Sequence, residues 1–510
     1  MVLGMMRNAM LSFHREHDAP PEFQGKELDM AVRFRVLMAQ CLILADYTKP
    51  HSNLIECLLL HVQADCMQMR EADISVWVLM GVIARLAMRM GYHRDPKIFP
   101  VLSPFQAEMR RRVWAFLVHA DVLLSAHVTM PSIIRPSDNN VEMPRNLYDD
   151  DFDESVMELP PSRPMSEPTP ISYLIVKARL TSTFARTCEY VSAQTGNYDT
   201  LMEVDAELRR SEDSIPAHLR MSSTPEAFPP PSSPSLAARF SVSAIYHKAQ
   251  CILHRRYITR ARENLRYAYS RRTCIDSAME LLRWQTLLHD QSLPGGALYS
   301  CGCSFNSDFL LAGTIVCLDL YHTFELEMAG RPSGDTYIWG VERHDEMLAA
   351  LKRSGDMWNE LRDESMDAWK ASSVLTMLLE RMSAMRSSVS SSSPPSIVEP
   401  QDDKQTAAMT LGLLSTGLTP SPGGGGTNNP LFNLPDPKSV DLQQAGGGGG
   451  ALSSPPRAGV FSPSSGNLAN APSPFSGING GMPDFQLNNL DWVCIYMWAS
   501  KDRQLIVLLL

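Results

Sequence analysis

The chain has 510 residues, 44% of them apolar, enough for a sizeable buried core and roughly two to four domains' worth of sequence. It carries 46 basic against 56 acidic residues, a formal charge of -10. That balance argues against strong binding to nucleic acid through the whole surface, which needs a basic excess to neutralise phosphates.

Met1 to Met10 is apolar but short and runs into Phe13-His14-Arg15, without the charged start and cleavage site of a secretory signal. No apolar run approaches the ~20 residues that span a bilayer, so a soluble intracellular chain is expected. From Lys26 to Arg386 apolar residues recur at helical spacing and strand-type alternation is scarce. The spacing predicts a helix over Ile74–Met90, with Ile74, Val78, Val82, Leu86 and Met90 on one stripe and Arg85 and Arg89 pairing with acids in the core. Gly91 suits the left-handed residue that ends such a helix. Ser103-Pro104-Phe105-Gln106 reads as a capping box with proline at the first helical position. Phe105, Met109, Val113, Phe116, Ala120 and Leu123 follow it at helical spacing.

Later in the chain, Val242, Ile245, Ala249 and Ile252 mark a helix ending near His254-Arg255-Arg256. Another is marked by Cys274, Ala278, Leu281 and Leu288, and Phe309–Tyr321 reads as buried throughout. Met347–Met385 is one broken helix or two. Five prolines each in Leu159–Pro170 and Ser222–Ser235 predict exposed loops. From Ser387 to Gly481, serine and glycine runs leave too little apolar surface to offset chain entropy, and disorder is expected. The fold class expected is all-α, a multi-helix domain over 1–386 followed by a low-complexity tail (387–481) and a short segment (482–510).

Few motifs carry chemistry. Asp149, Asp150 and Asp153 form DDxxD, a spacing that holds magnesium against a diphosphate in helical prenyl diphosphate enzymes. That chemistry needs the acids on a helix lining an apolar pocket and a second metal motif; here they lie between Pro144 and Pro160, and an acidic loop is the favoured reading. His14 and His17 in HREHD lack the placed glutamate of a zinc protease. Phosphate-cradling, dinucleotide and nucleophile-elbow motifs are absent, while serine and cysteine triads stay open. The ten cysteines show no C-x-x-C spacing and read as reduced thiols, with no metal site expected. Arg110-Arg111-Arg112 reads as a solvated helix face with Arg112 turned toward an acid such as Asp121. His93-Arg94-Asp95-Pro96 reads as a turn in which Asp95 pairs with Arg94 or caps the next segment. Asp484, Phe485, Leu487, Leu490, Asp491 and Trp492 mix acids with large apolar groups, the pattern of an activation segment or of a segment docking back on the domain.

Taken in order, these pieces resemble one family. Trp77-x-Leu79-x-Gly81, then Arg85, Ala87 and Gly91-Tyr92-His93-Arg94-Asp95, is similar to a run in the middle homology region of fungal zinc-cluster transcription factors. So is Ser103-Pro104-Phe105 through Glu108-Met109-Arg110-Arg111-Arg112-Val113-Trp114 and Asp121. Pro131-Ser132-Ile133-Ile134 and Pro144-Arg145-Asn146-Leu147-Tyr148-Asp149-Asp150-Asp151 continue it, which recasts DDxxD as part of a family loop. Further matches lie at Leu253-His254-Arg255, Cys274-Ile275, Asp308-Phe309-Leu310-Leu311-Ala312, Ser354…Trp358 and Ser365…Ala368.

The resemblance implies a nuclear, non-enzymatic regulator of RNA polymerase II transcription, active through coregulators, a homo- or heterodimer with a zinc-cluster chain, and a small-molecule effector. DNA would be reached only indirectly from this chain and no membrane is involved. The family binds zinc through six N-terminal cysteines; no cysteine precedes Cys41, so no cofactor is expected here. Ala115 also stands where the family places a second tryptophan. An incomplete or misjoined gene reading at both ends is expected.

Overall fold

A computed structural model describes residues 1–16, 19–68, 74–193, 197–221, 236–290, 303–330, 342–363 and 366–390. Thirteen α-helices and no strand occur among them. The first five are α1 (Val2–Glu16), α2 (Glu27–Leu44), α3 (Leu54–Gln68), α4 (Ile74–Arg89) and α5 (Pro104–His127). Then come α6 (Pro170–Ser192), α7 (Tyr198–Asp213), α8 (Leu236–His254) and the one-turn α9 (Arg260–Glu263). The last four are α10 (Ala268–Asp290), α11 (Cys303–Met328), α12 (Glu342–Glu360) and α13 (Met366–Ser390). The all-α expectation holds.

Three large cores succeed one another along the chain. Met38, Leu58, Ile83, Trp114 and their neighbours fill the first, between α2, α3, α4 and α5. Phe184, Leu208, Val242 and Leu253 centre the second, between α6, α7 and α8. Ile275, Leu281, Leu320, Leu351, Trp358 and Leu375 make the third, from α10 to α13. Helix α8 serves two of them: Val242, Ile245 and Ala249 face the second core, Phe240, Ala244 and Cys251 the third. A helix apolar on both sides has no stable place except between two layers. Helix α1 closes a smaller cluster with α2 and α3 around Met10, Phe34 and Met67.

Several sequence expectations change here. Helix α1 lies before Lys26, where helical structure was expected to begin. In α4 the stripe is rotated: Ile74 and Val78 are 63% and 53% exposed, while Val76, Met80, Ile83, Ala84 and Ala87 are buried. Apolar residues occur nearly all round this helix, so periodicity could not choose the face; the neighbouring helices did. Arg85 and Arg89 are therefore on the outside and not in the core. Met347–Met385 is two helices, and α13 runs to Ser390, four residues past the expected boundary. Leu159–Thr169 is without regular structure as expected, with Pro170 opening α6, but Leu159 and Thr169 are buried. The segment Ser307–Met328 is long and apolar enough to cross a bilayer, contrary to the sequence estimate, and more than half of it is buried against other helices. Ser222–Ser235 and the tail from 391 onward lie outside the described residues.

Candidate functional site

The residues that carry the first part of the resemblance, Trp77 to Asp151, gather between α4, α5 and the connection from α5 to α6, while the later matches are spread over α8 and α10 to α13, with Ser365 outside the described residues. Helix α4 ends as its sequence requires: Gly91 has φ +79°, and the Tyr92 amide reaches back to the Ala87 carbonyl at 3.0 Å. Helix α5 begins on the expected box, with the Gln106 amide on Ser103 Oγ and the Ser103 amide on Gln106 Oε1, both 3.2 Å. These two signals set how α4 and α5 meet.

One polar seam joins them near the end of α5. Trp77 Nε1 donates to Ser125 Oγ at 3.0 Å. One turn away, Asp121 Oδ2 accepts the amides of Ile133 and Ile134 at 2.8 and 2.9 Å. Burial pushes the Asp121 carboxyl up, against those two amides and the charge of Arg85. Gly81 makes room for the loop: a Cβ there would stand 2.8 Å from Ile133 Cδ1. Arg85 lies over the edge, donating to the Gly81 carbonyl at 3.1 Å. Asp121 therefore holds a loop and does not pair with Arg112, as the sequence reading had it.

A second seam runs along the first half of α5. Asp95 accepts from Arg111 through both oxygens, at 2.8 and 3.1 Å, and from the amides of Lys97 and Glu142 at 3.0 Å each. Burial alone would raise its carboxyl; Arg111 and those amides outweigh it and bring it down to about 2. Asp95 caps the following 3-10 turn as expected, but its ion partner is Arg111, and Arg94 points to solvent. Arg112, 1% exposed, pairs with Asp149 at 2.8 Å and lies 3.6 Å from the buried Glu108. Glu108 in turn accepts the Arg145 amide at 2.8 Å. Arg110 donates to the Met90 carbonyl at 2.8 Å and lies over the Tyr92 ring. The arginine run is thus a set of three anchors, not a solvated face. Trp114 fills the space beneath, with His93 tilted beside it at 6.4 Å between ring centres.

The connection that these seams hold is itself stitched. Asn146, fully buried, donates to the Pro164 carbonyl at 3.0 Å and accepts from Thr169. Arg145 donates to the carbonyls of Leu159 and Pro160, and Arg163 bridges to Asp151 over the Tyr148 ring. DDxxD is dispersed by this arrangement. Asp149 serves Arg112, Asp150 is exposed, and Asp153 accepts from its neighbour Ser155. They sit on and after a 3-10 turn and face no common point, so the diphosphate-enzyme geometry is not met.

Four further polar clusters were not foreseen from the sequence as clusters, although His254 and Asp308 stand in its later matches. In α1–α3, Arg7 and Arg35 hold Asp65 at 2.6 and 3.0 Å. In α7–α10, Asp205 receives Gln250, Tyr269, Arg209 and His254, and His254 Nδ1 lies 2.9 Å from Ser270 Oγ. Asp, His and Ser thus stand in triad order, and all three are fully buried. Arg271 and Arg262 clamp Asp319, and Lys248 pairs with Asp308 at 2.6 Å. The available signal was a lone charge inside an apolar run, as Asp319 is in IVCLDLYHTF.

Among the described residues, no cluster of three or more His, Cys, Asp or Glu could hold a metal ion. Cys251 and Cys274 come together, but as two thiols each donating to the other's carbonyl; the described cysteines do not fit a six-cysteine zinc cluster. The segment Asp484–Trp492 lies outside the described residues.

Residues 11–210 match the fungal specific transcription factor domain. These helices are a fungal transcription factor regulatory region, similar to that of relatives named Zn(2)-C6 fungal-type transcription factors. It is 37% identical over 353 residues to the Zn(2)-C6 fungal-type transcription factor pigI of Monascus ruber, across 68% of this chain and 43% of that one. With mpsB of Macrophomina phaseolina, of the same description, it shares 37% over 376 residues, 73% of this chain and 50% of the other. With the fusarisetin A cluster transcription factor fsa6 of a Fusarium species it shares 33% over 444 residues, 84% and 54%. The chain spans about half the length of these relatives. No solved structure matches it.

Proposed function

We propose that this chain is the control module of a transcription factor that governs the genes of one biosynthetic cluster through RNA polymerase II. Relatives support the scope: the fusarisetin A factor and, at 33% identity, the equisetin cluster transcription factor eqxF of Fusarium heterosporum are both named for clusters. The observation that carries the reading is where the family's residues go. Those of the α4–α5 region lie in two seams that fix a helix pair and a loop, and their charges are spent within the fold, Arg111 on Asp95 and Arg112 on Asp149.

A module of this kind acts by shifting a population between permissive and inhibited states, and any effector must favour one of them. Transcription coregulators and a zinc-cluster factor, as homo- or heterodimer, are the partners, DNA is reached only indirectly from this chain, and the site of action is the nucleus. A small-molecule effector is part of the same proposal, as is the absence of catalysis and of a cofactor in this portion. Asp484, Phe485, Leu487, Leu490, Asp491 and Trp492 are proposed as an activation segment, on their mixture of acids and large apolar groups.

Disruption of the gene followed by transcript profiling tests the reading. A coordinated change confined to a block of neighbouring genes is expected, with the tagged chain recovered on chromatin at their promoters. An unchanged transcriptome, or exclusion of the chain from nuclei, overturns it.

A further inference from the structure

Between Arg255 and Arg272 the sequence holds seven arginines and a single acid, Glu263, in a chain whose total charge is -10. The structure sorts them. Arg262 and Arg271 turn inward onto Asp319: Arg271 through Nε and Nη2 at 2.7 and 2.9 Å, Arg262 at 2.9 Å and onto the Asp319 carbonyl at 2.6 Å. They pin the turns that join α8 to α10. Arg255, Arg260, Arg266 and Arg272 are exposed, and Arg256 is half-buried.

Beneath them lies an aromatic platform. Tyr198, Tyr257 and Tyr267 meet with ring centres 4.8 to 5.1 Å apart. Arg260 lies over Tyr257 and Arg266 over Tyr198, at 5.6 and 5.5 Å. Stacking limits the rotamers of these guanidinium groups and so lowers the entropy cost of using them. Beside them Leu265 is 67% exposed and Tyr269 37%. Nearby acids answer part of the charge: Asp199 pairs with Arg266, and Asp276 with Arg272 and Arg343. Arg255 and Arg256 also complement the C-terminal end of the α8 dipole. That accounts for two residues; Arg266 is answered only by the exposed Asp199, Arg260 rests on the Tyr257 ring, and Leu265 stands out into solvent.

We propose that this surface docks a peptide segment of a partner protein in which acidic residues alternate with large apolar ones. Arg255, Arg260 and Arg266 would take the carboxylates, and Leu265 with Tyr269 the apolar side chains. A nucleic-acid backbone fits less well on two counts. It offers nothing to Leu265, and a handful of cations on a chain of charge -10 gives little purchase on phosphate at physiological salt. A short peptide feels mainly the local charge. The proposal does not depend on the transcriptional reading, because binding is measured on the purified chain.

The probe is a fluorescein-labelled synthetic peptide of alternating Asp and Leu with one Phe, followed by anisotropy at low and physiological salt. Arg255→Glu with Arg260→Glu should weaken it roughly tenfold, the sum of two exposed ion pairs. Leu265→Ala should weaken it severalfold at both salt concentrations, since an apolar contact is not screened. Arg33→Ala, exposed on α2, should leave it unchanged. Each variant is checked for wild-type melting, and exposure at 255, 260 and 265 makes that the expected outcome. Binding indifferent to Leu265→Ala, or a duplex DNA probe that binds more tightly than the peptide, overturns the proposal. So does a peptide bound equally by the Arg33 and the Arg255/Arg260 variants.

Discussion

Arg112 shows why a residue's role follows from what surrounds it. Its guanidinium is inside, against Asp149 and Glu108, with the Phe152 ring 5.0 Å away. Removing one partner of a buried pair leaves the other charged and uncompensated, at a cost of ~3–5 kcal/mol. Arg112→Ala should therefore lower the melting temperature by several degrees and reduce the yield of folded chain; a variant that melts with the wild type would show that the pair contributes nothing. Asp95 is a carboxyl that the fold depresses. Its carboxyl is ordinarily at 3.8 and stands at about 2 in the fold. A group depressed on folding stabilises above its unfolded value and ceases to as pH falls through the folded one. This contribution is complete above about pH 4 and is lost toward pH 2. In Asp95→Asn the acid limb of stability against pH should be flatter than in wild type.

Helix α5 is the element on which the site is built, and its start was readable. The Ser103 box and Pro104 are local signals, and both hydrogen bonds form where local chemistry puts them. Ser103→Ala should cost about 1 kcal/mol, measured as a shift in urea midpoint with unchanged slope. Helix α4 was legible as a helix but not in its facing. Its apolar residues surround it, so only the approach of α3 and α5 selects Met80, Ile83 and Ala87 for the core and leaves Ile74 and Val78 outside. Gly81 belongs to the same contact. Gly81→Ala drives a methyl into Ile133 and should destabilise by ~1–3 kcal/mol, the usual cost of overfilling a packed contact. Ile133→Val in the same chain should recover part of that loss. A double variant no better than the single one would place the strain elsewhere.

At the scale of the whole molecule, burial keeps several histidines neutral. Desolvation, with help from Lys248, takes His127 down to about 4, and desolvation takes His247 to about 4 against the pull of Glu280. In the unfolded chain both protonate near their ordinary value of 6.5. Between 6.5 and 4 the unfolded state binds more protons, so stability must fall as pH falls. Each group contributes at most about 3 kcal/mol across that interval. Urea titrations at pH 7 and pH 5 should separate clearly, the midpoint lower at pH 5; equal midpoints would mean that water reaches these rings in the fold.

The sequence by itself determined the helical class, the end of α4 and the start of α5, and the family that the ordered motifs resemble. Each of these depends on neighbours a few residues apart: a cap, a left-handed glycine, a period of apolar side chains. Tertiary structure alone decided that Asp121 holds the Ile133–Ile134 loop, that Arg111 and Arg112 point inward to Asp95 and Asp149, and that seven clustered arginines divide into two inward clamps and an outward-facing set. The reason is physical. A charged side chain on a helix has no preferred partner until another element brings one within about 4 Å, and burial then makes that pairing obligatory.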